Sequence, residues 1–201
     1  MSGWWRVNRW WLVVLPIALV AMLAASSYRL KTMWWDSGYH HEIASAGVGR
    51  WAHVDESYAT FTQRIHHRYR VRADGLSTTD SIPQDSGDLP VPAGVTAYLV
   101  HLSFEAATDQ DMAYCEVMLV GSDGTVYGGN VDDQINQSDL CLPVAEPDPE
   151  TGITPTDVPR GRTWTVDPIV LAPSSARIRA VRVTYGKPRY VTLAVDPAAS
   201  S

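Results

Sequence analysis

An all-β domain carried behind one N-terminal transmembrane helix is the architecture this sequence predicts, and three observations predict it. The run Trp10 to Tyr28, WWLVVLPIALVAMLAASSY, carries no charge from end to end. After Trp35 the chain changes character and becomes polar, acidic and rich in turn residues. Beyond Arg50 the apolar residues recur at every second position in short runs separated by proline and glycine, which is the period of a strand with one buried face. The chain therefore reads as a cytoplasmic tip over 1–9, a transmembrane helix over 10–28 and a membrane-proximal linker over 29–49. A β-sandwich over 50–201 follows, with proline-rich loops at 75–94 and 132–162.

A bilayer core of about 30 Å needs roughly 20 apolar residues at 1.5 Å each, and the first run supplies nearly that. Trp10 and Trp11 crowd one end, and Tyr28, Trp34 and Trp35 mark the other. These rings prefer the wet boundary of a membrane, so they read as interface anchors in contact with lipid. Pro16 inside the run predicts a kink, because neighbouring groups in a membrane helix take over the lost hydrogen bond. The alternative is a signal peptide. Arg6 and Arg9 precede the apolar core and the small residues Ala24 to Ser27 follow it, which suits secretion after cleavage near Ser26. Flanking positive charge is balanced, with Arg29 and Lys31 on the far side, so orientation rests on the cysteines and on the folded part: N-terminus inside, domain outside.

All 22 acidic residues and 12 of the 16 basic residues lie after Lys31, so the chain beyond that point carries a balance of −10. That excludes the basic footprint of a nucleic-acid binder. The two cysteines, Cys115 and Cys141, both fall in the domain. An even count in an oxidising compartment predicts a disulfide worth roughly 3 to 4 kcal/mol. The other reading is two buried thiols acting as small apolar groups.

Through the linker, Asp36 or Ser37 predicts a cap for a short helix over His40 to Ala46. His40, His41 and Glu42 invite a metal, but adjacent histidines on a helix point apart and no third ligand follows at helical spacing. From Thr60 to Arg72 the period is two. Phe61, Gln63, Ile65, His67, Tyr69 and Val71 share one face, and Thr62, Arg64, His66, Arg68, Arg70 and Arg72 the other. The stripe Arg64, Arg68, Arg70 and Arg72 has two readings. It is either a landing strip for an anionic partner, such as a polymer, a lipid headgroup or an acidic protein surface, or a solvated face paired with acids on adjacent strands.

Val95 to Glu105 has two mixed apolar faces, as a central strand does, which makes His101 a satisfied histidine. Met112 to Tyr127 reads as a hairpin, YCEVMLV and TVY joined through Gly121 to Gly124, with Asp123-Gly124 in a turn that needs positive φ at both residues. Asp123, Asp132 and Asp133 lack the spacing of a twelve-residue calcium loop. The insert 132–162 is held as a surface loop by Cys141, and its prolines also offer an extended partner-binding segment. Asn136 to Ser138 fits a glycosylation triplet. Thr163 to Leu171 is broken by Pro168, which marks an edge or bulge. Arg177 to Tyr185 then places Val181, Val183 and Tyr185 on one face, ahead of the run Tyr190 to Val195. Short strands between Pro and Gly loops describe a β-sandwich.

The strand VTAYLVHLSFE, the pattern MLVGSDGTVYGG, the later WTVDPIVLAP and the closing YVTLAV together resemble the immunoglobulin-like extracytoplasmic domains of unknown function of Gram-positive bacteria. The leader, WWRVNRWWLVVLPIALVAMLAASSYRLKTMWW followed by GYHHEIASAG, is similar to that of uncharacterised actinobacterial single-pass membrane proteins. The resemblance implies an immunoglobulin-like antiparallel sandwich at the cell envelope and carries no catalytic residues with it.

Three functions follow as expectations. The first is a non-catalytic binding or scaffolding module, with an envelope protein or anionic polymer as partner and no cofactor. The second is an accessory subunit of a membrane complex, held through its helix by the small residues Ala18, Ala21, Ala24 and Ala25. The third is an enzyme. No G-x-S-x-G and no H-E-x-x-H occurs, and His53, His66, His67 and His101 offer no ligand spacing to test.

Overall fold

The computed structural model describes residues 3, 8, 10–30, 38–59, 64–83, 87–112, 115–128, 141–143 and 160–196, without the side chains of 12, 13, 26–30, 58, 59 and 64. The chain falls into two units, Met1–His40 and His41–Ser201.

In the first unit the apolar run forms α1, Trp11–Leu30, a helix of 20 residues that continues through Pro16. Its fully described part covers 14–25, and among the described residues no helix is long and apolar enough to cross a membrane. Trp10 and Trp11 stand exposed at its start. The Tyr28 side chain, Trp34 and Trp35 lie outside the described residues.

The second unit is all β. Its strands are β1 His41–Ala46, β2 Ala52–Ala59, β3 Arg64–Thr79, β4 Ser81–Ile82, β5 Leu89–Pro90 and β6 Val95–Ala106. They continue as β7 Glu116–Gly121, β8 Val126–Gly128, β9 Thr163–Val166, β10 Ile169–Pro173, β11 Ile178–Gly186 and β12 Arg189–Ala194. One sheet runs β1-β12-β11-β7-β8, the other runs β10-β6-β3-β2 with β9 also on β6, and β4-β5 form a small ribbon. Pairing is antiparallel except between β1 and β12, which is parallel.

Alternation explains the layers. Tyr69, Val71, Val100, Leu102 and Phe104 from one sheet meet Val117, Leu119, Val181, Val183, Val191 and Leu193 from the other in a single buried cluster. Two sheets each hiding one face against the other form a sandwich. Phe104 is fully buried and stacks on Trp164, with ring centroids 5.4 Å apart and an interplanar angle of 11°. β6 is central, flanked by β3 on one side and by β9 and β10 on the other, as its two mixed faces predict. Asp167-Pro168 separates β9 from β10 where the proline breaks the run.

Three local expectations are corrected. His41–Ala46 is a strand, not a helix, because its backbone groups pair with β12 through the register His41↔Arg189 to Ala46↔Leu193. β3 continues past Arg72 to Thr79, since the pairing of Leu76 through Thr79 with β6 outweighs the loop-like composition. In the β7–β8 hairpin Val120 pairs with Val126 around a connection that falls one residue later, where Gly124 takes φ 87° and donates to the Gly121 carbonyl at 3.0 Å. Asp123 fixes that loop by accepting from the Thr125 amide at 3.0 Å and the Thr125 hydroxyl at 2.7 Å.

The strand directions bring the ends of β2, β6, β8 and β11 and the starts of β3, β7, β9 and β12 to the end where β1 begins. At that end Cys115 and Cys141 form the disulfide, with both residues buried and Cα atoms 5.8 Å apart. The Trp164 indole donates to the Cys141 carbonyl at 2.7 Å and Arg160 stacks over the Trp164 ring at 4.5 Å, so Trp164 holds both described parts of the insert. The body of the insert, with Asp132, Asp133 and Asn136 to Ser138, lies outside the described residues.

Candidate functional site

The outer face of the β2–β3–β6 sheet holds most of the polar chemistry. Strand alternation sends Arg68, Arg70 and Arg72 outward while His67, Tyr69 and Val71 are buried. Register then decides the partners. Asp55 lies opposite Arg68 and accepts from its Nε at 2.9 Å and its Nη2 at 2.8 Å. Glu105 lies opposite Arg70, pairs with it, and also meets Arg162 at 3.5 Å. Arg72 pairs along its own strand with Asp74 at 2.6 Å, and Asp74 accepts from Ser103, which lies opposite Arg72. The guanidinium groups of Arg70 and Arg72 also lie over the Trp51 ring, at 5.4 and 4.8 Å from its centroid.

The cationic stripe is thus a mixed-charge ladder, with each described arginine of β3 matched by a carboxylate. The Arg64 side chain lies outside the described residues. Such exposed pairs are worth roughly 0 to 1 kcal/mol each, and Arg68, with 73% of its side chain exposed, belongs at the low end. Glu105 is the best-held member, at 19% exposure between two guanidinium groups.

Two histidines join this face. His101 on β6 has Ser77 Oγ 2.8 Å from Nε2 and Asp167 Oδ1 2.6 Å from Nδ1. A carboxylate only accepts, so Nδ1 carries the hydrogen, and in the neutral ring Nε2 accepts from the serine. His66 on β3 has Ser57 Oγ 2.6 Å from Nδ1 and Asp55 Oδ1 3.4 Å from Nε2.

A second polar cluster lies inward, at the end where β1 begins. Glu56 on β2 meets Arg189 on β12 at 3.2 Å, with side chains 10% and 23% exposed, and so ties one sheet to the other. Burial raises the Glu56 carboxyl above its usual range, and Arg189 only partly offsets this. His67, directly opposite Glu56, has its pKa lowered, first by burial, against the pull of Asp111 and with help from Arg189 and His66. Tyr185 packs edge-on to His67 and Tyr69, with centroids 5.2 and 5.1 Å away, and burial pushes its phenol well up.

Among the described residues no group of three His, Cys, Asp or Glu side chains is placed to share a metal ion. His41 and Glu42 are consecutive on a strand and point to opposite faces. His67 faces the core while His53, His66 and His101 do not.

Sequence reading missed Trp51, Asp55, Asp74, Ser77, Glu105, Arg162 and Asp167. The alternation His53, Asp55, Ser57 in β2 was a usable signal for one row of the ladder. Ser77 was not accessible, because a bulge between Ala73 and Gly75 changes which residues of β3 face outward.

The chain matches no protein-family model, no curated protein and no solved structure.

Proposed function

We propose that the chain is a membrane-tethered, non-catalytic binding or scaffolding module, with its N-terminus inside and its disulfide-bonded sandwich at the outer face of the cell envelope. One observation carries the tether. Every large apolar side chain described from Trp10 through Leu23 is exposed, between 46% at Val14 and 68% at Trp10, which is costly in water and ordinary in lipid. The disulfide supports an oxidising exterior.

The connectivity supports an immunoglobulin-like core. β6 crosses to β7, β7 and β8 form a hairpin, the chain returns to β10, and it crosses again to the β11–β12 hairpin. It departs from that pattern in its disulfide, which ties the start of β7 to the insert and leaves β6 and β11 unbridged.

The partner class follows from the ladder. Carboxylates interleaved with arginines disfavour a polyanion and suit a protein surface of mixed charge. Crosslinking on intact cells, followed by mass spectrometry, tests this. Crosslinks from residues of the β2–β3–β6 face to an envelope protein are the expected outcome. Crosslinks confined to α1 would instead favour an accessory subunit held through its helix.

A further inference from the structure

We infer that Ser77, His101 and Asp167 form a nucleophile relay, in which Ser77 is an acyl-accepting hydroxyl on the outer sheet face. The three residues come from three separate places, β3, β6 and the break between β9 and β10, and the fold brings them together. Two irregularities aim them. The bulge between Ala73 and Gly75 turns Ser77 outward toward His101, and the Asp167-Pro168 break frees Asp167 from the ladder while the Pro168 carbonyl still accepts from the Val100 amide at 2.9 Å.

The order of atoms suits proton transfer. Ser77 Oγ lies 2.8 Å from Nε2 and Asp167 Oδ1 lies 2.6 Å from Nδ1, so the carboxylate fixes the tautomer that leaves Nε2 ready to take the serine proton. Among the described residues Asp167 meets no arginine or lysine, and its charge is left to stabilise an imidazolium. The chain Ser57, His66 and Asp55 is a natural contrast. There the serine sits on Nδ1, the carboxylate is 3.4 Å away, and Arg68 already holds that carboxylate with two hydrogen bonds.

The step is a single acyl transfer from a small ester, which modifies Ser77 once and turns nothing over, so it stands beside the non-catalytic role proposed above. Ser77 Oγ bonds to the acyl carbon, its proton moves to His101 Nε2, the ester C–O bond breaks, and the same proton leaves with the released alcohol. Around Ser77 the backbone is paired with β6 through Ser77↔Leu99 and Thr78↔Tyr98. No pair of free amides is described there to hold an oxyanion, a lack that costs roughly 100-fold or more in rate. Covalent labelling is therefore the readout, rather than turnover.

The test treats the full chain, in mild detergent at mildly alkaline pH, with an alkyl fluorophosphonate. Attack by Ser77 forms an O–P bond and expels fluoride, and peptide mass spectrometry locates the adduct. The expected result is one adduct, on Ser77, absent from Ser77→Ala, with the labelling rate falling about 100-fold in His101→Ala and unchanged in Ser57→Ala. Asp167 is a positioning residue. Asp167→Asn lowers the rate and moves its pH profile, and Asp167→Glu recovers part of it. Circular dichroism confirms that each variant is folded. Labelling that matches the heat-denatured chain, or that survives Ser77→Ala, would make this an ordinary surface hydrogen-bond chain and overturn the inference, leaving the tethered-module reading untouched.

Discussion

Reducing the Cys115–Cys141 bond is the perturbation whose size the structure fixes best. The bond closes a loop with a sequence separation of 26, and chain entropy assigns such a loop about 3.5 kcal/mol at 25 °C. Both cysteines are buried against the core, and after reduction the Trp164 indole, which donates to the Cys141 carbonyl, still holds that residue, so the entropy of the closed loop is the main loss. For a folded unit of this size each kcal/mol moves the melting temperature by about 2 to 4 °C. Thermal melts of the full chain in detergent, followed by near-ultraviolet circular dichroism with and without a reductant, should differ by about 7 to 14 °C. Cys115→Ala with Cys141→Ala should reproduce the reduced curve. A shift under about 2 °C, or two titratable thiols in the unreduced chain, would refute the reasoning.

Three further outcomes follow. Phe104→Ala removes a fully buried ring from its stack on Trp164 and should cost about 3 to 5 kcal/mol, read by denaturant unfolding. The lowered pKa of His67 supports stability above the ordinary histidine range and withdraws it as pH falls through the folded value; the raised pKa of Glu56 has the opposite sign, supporting stability at low pH and withdrawing it as pH rises. His67→Gln should therefore flatten the acid side of the stability profile, and Glu56→Gln should remove the decline on the rising side, both measured by melts across pH. Arg68→Glu, at a highly exposed position, should change stability by less than about 1 kcal/mol, and a double-mutant cycle with Asp55→Ala checks that ceiling.

How much of this was legible follows from the range of each interaction. Alternation in 64–72 and 95–105 exposed the core faces of β3 and β6, because side-chain direction along a strand is local. The hairpin around Asp123-Gly124 was visible from its turn residues, with a connection of the right length placed one residue early. β1 was misread because its state is set by β12, nearly 150 positions away, and no local period announces a parallel edge. The arginine stripe was legible as a face, but its neutralisation by Asp55 and Glu105 depends on strand register, while Asp74, two residues after Arg72 on the same strand, was within local reach. The Ser77 relay depends on a bulge, which reverses the facing of every residue after it. The cysteine pairing was readable from count alone, since only one pair exists.

The most direct measurement is alkaline carbonate extraction of membranes, paired with protease treatment of intact cells stripped of their wall. The account predicts that the full-length chain stays in the pellet until detergent releases it, and that external protease removes the sandwich while sparing α1. A mature chain beginning near Ser26 in the culture fluid, or a sandwich that resists external protease until the membrane is broken, would contradict it.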